Sequence, residues 1–243
     1  MVWSSPAIAD LNGDGRLDVV VGTGNMPLPG GQRVYAFDRN GNALAGWPVT
    51  VGGKVMASPA IGDLDGDGAL DVVTVADDGR IYAHNRTGGL LPGWPQCAAN
   101  DRNACPGVPL HGSAVMGDVD GDGAQEVVFG GEQWVRVFSS TGVVENQSPT
   151  VSGTAPLTGA PTLAKIGNST WIVQTAGFDD TGDGVPDVGT LWAWSAGSGA
   201  GVLAWPTFKQ NMRRAGTVVD EVAPVATVGS VAVSQTSTSF PVA

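Results

Sequence analysis

The sequence predicts an all-β fold: a β-propeller of four-stranded blades, four of them visible as an open arc of a larger ring. Three observations predict it. An acidic motif recurs with its first Asp at positions 10, 63 and 118 of a 243-residue chain. Behind each copy, short β-rich runs alternate with turns, giving four strands in meander order per unit. The chain is rich in turn formers, with 37 Gly and 16 Pro, which leaves little room for long helices. Radial repetition of small sheets is how such a chain protects its strand edges.

The first unit opens with Ser5-Pro-Ala-Ile-Ala, the first strand, followed by an acidic loop, Asp10-Leu-Asn12-Gly-Asp14-Gly-Arg16-Leu-Asp18. Val19 to Val21 form a second strand, Arg33-Val-Tyr-Ala-Phe37 a third, and Gly46-Trp-Pro48 leads into the fourth. The second unit repeats this order: Ser58-Pro-Ala-Ile-Gly, the loop Asp63 to Asp71, Val72 to Val75, Arg80-Ile-Tyr-Ala-His84 and Gly93-Trp-Pro95. In the third, Ser113-Ala-Val-Met-Gly precedes the loop Asp118 to Glu126, then Val127 to Phe129 and Trp134-Val-Arg-Val-Phe138. Val143-Val144 stands there where the other units have Trp-Pro.

The fourth unit is degenerate. Ala160-Pro-Thr-Leu-Ala is followed by Lys165 in the place of the first Asp, so no metal loop is expected there. Ile172 to Thr175, Leu191-Trp-Ala-Trp194 and Ala204-Trp-Pro206 continue the strand pattern. A displaced acidic loop, Asp179-Asp-Thr181-Gly-Asp183-Gly-Val-Pro-Asp187, falls between its second and third strands. The blades are placed at about 1–53, 54–108, 109–155 and 156–207. A basic stretch follows, so 208–224 is read as a linker and 225–243, with its alternating apolar and polar residues, as the opening of a truncated β-sandwich-like domain.

The acidic loops carry the chemistry. Side-chain oxygens at relative positions 1, 3, 5 and 9 would repel one another without a counter-charge. A hard cation resolves this. The glycines at positions 4 and 6 allow the tight turn that lets the oxygens converge, and a carbonyl near position 7 adds a ligand. Position 12 after Asp63 is Thr74, where an EF-hand loop has Glu, and the flanks are strands, so a helix–loop–helix site is excluded. These ligand positions account for fourteen of the 23 acidic residues, so the net charge of −11 reads as metal-site charge. A charge-driven nucleic-acid or anionic-membrane partner is excluded on the same ground. No run of 18 apolar residues is present, so no membrane insertion is expected.

Cys97 and Cys105, the two cysteines, flank a loop marked by Asn100, Asp101 and Asn103. A local disulfide is the expected state, which suits a secreted or cell-surface setting.

The repeated Pro-Ala-Ile-x-Asp-x-Asp/Asn-x-Asp-Gly-x-x-Asp/Glu-Val-Val resembles the FG-GAP (VCBS-type) repeat of integrin α-subunit propellers and of secreted bacterial proteins. The resemblance covers about residues 1–207. It implies Ca²⁺ ligation by Asp10, Asn12, Asp14 and Asp18, by Asp63, Asp65, Asp67 and Asp71, and by Asp118, Asp120, Asp122 and Glu126. It implies carbonyl ligands from Arg16, Ala69 and Ala124. A fourth Ca²⁺ is expected at Asp179, Thr181, Asp183 and Asp187. Propellers of this kind have about seven blades, so further blades and a C-terminal domain are expected beyond this sequence.

No catalytic constellation emerges. His84 lies on a strand and His111 in a loop, neither beside a nucleophile or carboxylate at a telling spacing. Trp47, Trp94 and Trp205 recur once per blade and read as core or inter-blade packing rather than sugar platforms. The expected function is a Ca²⁺-stabilised extracellular binding or adhesion module for protein or glycan, not an enzyme. The alternative is the propeller part of a polysaccharide-active enzyme resembling rhamnogalacturonan lyases.

Overall fold

The computed structural model describes residues 2–24, 31–98, 105, 112–131, 134–148, 157, 159–178, 188–198 and 202–207. Every regular element among them is a strand. Blade one pairs β1 (Ala7–Ala9), β2 (Asp18–Gly22), β3 (Arg33–Phe37) and β4 (Val49–Thr50) in that order. Blade two repeats the meander with β5 (Ala60–Gly62), β6 (Asp71–Ala76), β7 (Arg80–His84) and β8 (Gln96–Cys97). Blade three uses β9 (Val115–Gly117), β10 (Glu126–Gly131), β11 (Trp134–Phe138) and β12 (Val144–Gln147). All pairings are antiparallel, as short turns between successive strands require.

Blade four departs from the expected four strands. Its described sheet has three: β13 (Thr162–Ile166), β14 (Ser169–Phe178) and β15 (Val188–Ser198). The Trp-Pro segment does not pair with β15. Trp205 instead exchanges two backbone hydrogen bonds with Met116 of β9, both at 2.9 Å, and the Pro206 carbonyl accepts from Leu163. The segment therefore lies between the inner strands of blades three and four, with Trp205 only 2% exposed. Ala204 stands where the first two units have Gly46 and Gly93, both at φ +84 and both against a neighbouring backbone. A Cβ is excluded from that position, so the segment takes another path.

Blades are tied to one another by repeated contacts. The Trp47 indole N–H donates to the Arg86 carbonyl at 3.0 Å, and that of Trp94 to the Ser140 carbonyl at 2.9 Å. At the start of the inner strands, the Ser5 amide donates to Ser58 Oγ and the Ser58 amide to Ser113 Oγ. The core runs through these junctions: one apolar cluster spans blades one to three, a second joins blades three and four. The cysteines are joined as a Cys97–Cys105 disulfide at the outer edge of blade two. His111 and residues 208–243 lie outside the described residues.

Candidate metal centres

Each of the first three acidic loops joins the first and second strands of its blade, and the three fold by one hydrogen-bond scheme. In the second loop, Asp63 accepts from Gly66 through Oδ1 and from Gly68 through Oδ2. Asp65 accepts the Asp67 amide and Asp67 accepts the Ala69 amide. Asp71 accepts the Leu64 amide at 2.8 Å. The first and third loops repeat every step: Asp10 on Gly13 and Gly15, Asp118 on Gly121 and Gly123, Asp18 on Leu11, Glu126 on Val119. Gly66 and Gly68, at φ +77 and +85, make the turn that brings these oxygens inward.

The loops thus combine two kinds of acid. Asp65, Asp67, Asp120 and Asp122 are exposed on the rim. The ninth-position acids start the second strands and are buried: Asp18 and Asp71 at 1% exposure, Glu126 at 2%. Burial pushes the Asp71 carboxyl up to about 7, against the Leu64 hydrogen bond and with the help of the Asp65 charge. Burial likewise pushes Glu126 up to about 8, and it raises Asp18 as well. A carboxylate kept out of water and beside other carboxylates, with one or two backbone amides on it, gains most in its charged form from a nearby cation.

One oxygen each of Asp63, Asp65 and Asp71 lie within 4.8 Å of one another, as do those of Asp118, Asp120 and Asp122. Two loops therefore gather carboxylates as the spacing implied, although Asp67 and Glu126 stand outside those triads. In the first loop, Asp10, Asp14 and Asp18 are not gathered to that degree, and its third position is Asn12. Arg16, Ala69 and Ala124 enter the scheme through their amides, which donate to Asp14, Asp67 and Asp122. Asp179, Thr181, Asp183 and Asp187 lie outside the described residues. The donor set is all oxygen and tightly looped, which fits a hard divalent cation such as Ca²⁺.

One acid near the third loop is absent from the motif. Glu145 is raised by burial and by the charges of Asp120 and Asp122. It sits at a register shift in the β11–β12 pairing, where Val137 faces Asn146 and Phe138 faces Val144. The Val143-Val144-Glu145 that replaces Trp-Pro was the available signal. A cleft of about 300 Å³ separates the second and third loops, lined by Asp63, Asp65, Ala124, Gln125, Ser140 and Val202 among others.

Among the described residues, His84 has no reacting partner. It is 3% exposed, stacked on Tyr82 with ring centroids 6.1 Å apart, and its Nδ1 has no hydrogen-bond partner among the described residues. Burial holds its pKa down at about 4. Trp47, Trp94 and Trp205 are all buried, as inter-blade packing requires. Trp194 is 2% exposed and stacks on Trp192, so it offers no platform.

Residues 10–74 and 63–129 match the FG-GAP-like repeat family, two overlapping stretches that include all three loops. No curated protein matches the chain. Among solved structures, BamB from Moraxella catarrhalis is similar at 18% identity and a TM-score of 0.50, over 82% of this chain and 54% of that one. The V. cholerae biofilm matrix protein Bap1 is similar at 16% identity and a TM-score of 0.44, over 82% and 38%. The N-terminal region of BBS1, in complex with ARL6, gives 10% identity and 0.48, over 72% and 51%. This chain thus spans only about half the length of BamB.

Proposed function

The chain carrying FG-GAP-like repeats on a propeller arc, we propose that it is a Ca²⁺-stabilised extracellular binding module, for protein or glycan, and not an enzyme. The observation behind this reading is the buried ninth-position acid, Asp18, Asp71 or Glu126, at the root of three loops with one hydrogen-bond scheme. Ca²⁺ would be held by Asp63, Asp65, Asp67 and Asp71, by the matching residues of the third loop, and by Asp10, Asn12, Asp14 and Asp18 in the first. The bound ion supplies positive charge. The chain's own residues do the rest: the Asp63 carboxylate gathers the glycine amides, and Asp71, the first residue of β6, ties the start of the loop to that strand by accepting the Leu64 amide. The ion therefore acts on the hairpin and couples its binding to folding. The Cys97–Cys105 disulfide supports an oxidising, extracellular setting.

Calorimetric melting with Ca²⁺ and with excess EDTA tests the metal part of the reading. At a Ca²⁺ concentration 100-fold above its dissociation constant, each site adds about 2.7 kcal/mol of stability. An unchanged melt of demonstrably metal-free protein would refute it. A glycan array beside an absorbance assay for unsaturated products on pectic polymers tests the rest: retention without turnover is expected, and turnover would make the module catalytic.

A further inference from the structure

The three complete blades do not bury their sheets equally. In blades two and three, β5, β6, β9 and β10 are buried at every residue. In blade one, burial alternates along β1, β2 and β3. Apart from Arg33 at the start of β3, the half-exposed side is apolar: Ile8, Val19, Val21, Tyr35 and Phe37, with the rings of Tyr35 and Phe37 stacked 5.6 Å apart.

The repeat identifies this face. Tyr82 and His84 occupy the places of Tyr35 and Phe37 in blade two, and blade one covers them. The Tyr82 hydroxyl accepts the Gly52 amide at 2.9 Å, and the His84 ring lies 6.1 Å from that of Trp47. In blade three, Phe138 lies 6.1 Å from Trp94 of blade two in the same way. The face that Tyr35 and Phe37 present is therefore the one that blades two and three turn to the blade before them.

The polar half of the junction is preformed as well. The turn 38–41 has the same closing hydrogen bond as 85–88 and 139–142, from the glycine amide to the first carbonyl. In the later turns that glycine meets a preceding blade. A Cβ on Gly88 would lie 2.5 Å from the Gly46 carbonyl oxygen, and one on Gly142 3.0 Å from that of Gly93. Gly41 has the same left-handed φ, +82, with nothing within 4 Å of the same position. By repeat position, the Arg39 carbonyl corresponds to the Arg86 and Ser140 carbonyls that accept the indole N–H groups of Trp47 and Trp94.

We propose that this face of blade one is a docking surface for a further FG-GAP-type blade whose last strand opens with Gly-Trp-Pro. The incoming indole donates to the Arg39 carbonyl, and the incoming glycine packs on the backbone of Asn40. The apolar side of that blade covers Val21, Tyr35 and Phe37. None of the three Trp-Pro segments of this chain fills the role, because Trp47, Trp94 and Trp205 are each engaged elsewhere. The inference rests on packing and stands whether or not the loops take Ca²⁺.

The test extends the full chain at its N-terminus with a second copy of residues 1–53, in saturating Ca²⁺. Met1 to Ser4 then take the place of Lys54 to Ala57 as the connection between blades. The extended chain is expected to melt about 5 °C or more above the original, at 2–4 °C per kcal/mol for a chain of this size, with the added copy resistant to protease. G46V in the added copy is expected to abolish the gain. F37K in the original copy is expected to abolish it too, while leaving the melt of the unextended chain within about 1 °C. A gain that survives both substitutions would overturn the proposal. So would an added copy that stays protease-sensitive, because the same 53 residues already fold against a following blade.

Discussion

Trp47 in blade one donates its indole N–H to the carbonyl of Arg86 in blade two, 39 residues further along the chain. The contact depends on Gly46. A Cβ there would sit 1.8 Å from the Thr87 carbonyl oxygen, and φ is +84. Trp94 and Gly93 repeat the arrangement on Ser140 and Thr141, with a Cβ placed at 1.9 Å. Gly46→Ala therefore forces a backbone shift at the junction as well as a strained φ, and is expected to cost about 2–4 kcal/mol. Trp47→Phe removes only the hydrogen bond and part of the buried ring, for about 1–2 kcal/mol. Urea unfolding in saturating Ca²⁺ checks both. A Gly46→Ala loss no larger than that of Trp47→Phe would contradict this account of the latch.

The ligand positions should rank by charge. Asp65→Ala removes a carboxylate from a loop in which one oxygen each of Asp63, Asp65 and Asp71 lie within 4.8 Å of one another. Asn12→Ala removes a neutral amide from a loop less tightly gathered. The Asp65 variant is expected to weaken one Ca²⁺ site by tenfold or more, about 1.4 kcal/mol, and the Asn12 variant by less. Titration calorimetry of each variant reads the ranking. Equal losses would show that the ion does not distinguish the two loops.

The repeat made most of this fold legible. The loops, the second and third strands and the Gly-Trp-Pro step were all readable because one pattern recurred in register, from Asp10 to Asp63 to Asp118. Trp205 is buried between blades as its recurrence implies, but the path of Ala204-Trp-Pro206 departs from the strand pattern for a physical reason: the latch needs the glycine before the Trp, and Ala204 cannot take that place. Glu145 was missed because its approach to Asp120 and Asp122 depends on a register shift, and register is set by cross-strand packing that composition does not reveal. The inequality of blade one's two faces was equally hidden, since Val19 matches Val72 and Tyr35 matches Tyr82, and these pairs differ only in what covers them.

His84 holds the position that Phe37 and Phe138 hold in blades one and three, and it pays for the difference. Its ring is buried, its Nδ1 lacks a partner among the described residues, and its pKa is held at about 4 against an ordinary 6.5. With the folded pKa below the unfolded one, the unfolded chain binds more protons between those values. Stability therefore falls as pH drops from 6.5 towards 4, by up to about 1.4 kcal/mol for each unit of pKa. His84→Phe is expected to remove that slope and to gain about 1 kcal/mol at pH 7 by replacing an unpaired polar atom with carbon. Denaturant midpoints from pH 4 to 7 decide the matter. Parallel pH profiles for the two proteins would mean that His84 is solvated.

Asp71 and Glu126 give the opposite slope in the absence of Ca²⁺. Their folded pKa values, about 7 and about 8, stand above the ordinary carboxylate range because burial disfavours the charge. The folded chain then holds more protons than the unfolded one from about pH 4 upward, so stability in EDTA declines as pH rises towards 8. Ca²⁺ should reverse the trend, since it requires both carboxylates ionised and pairs with them once they are. The expected result is a melting curve in EDTA that drops from pH 5 to 8, a gap to the Ca²⁺-loaded melt that widens over the same range, and proton release on Ca²⁺ binding at pH 6. Asp71→Asn should flatten part of the EDTA slope, because an amide carries no charge to bury, while abolishing the Ca²⁺ gain at the second loop. If Asp71→Asn left the EDTA slope intact, the buried acid at the root of the loop would not be the group that makes the metal necessary.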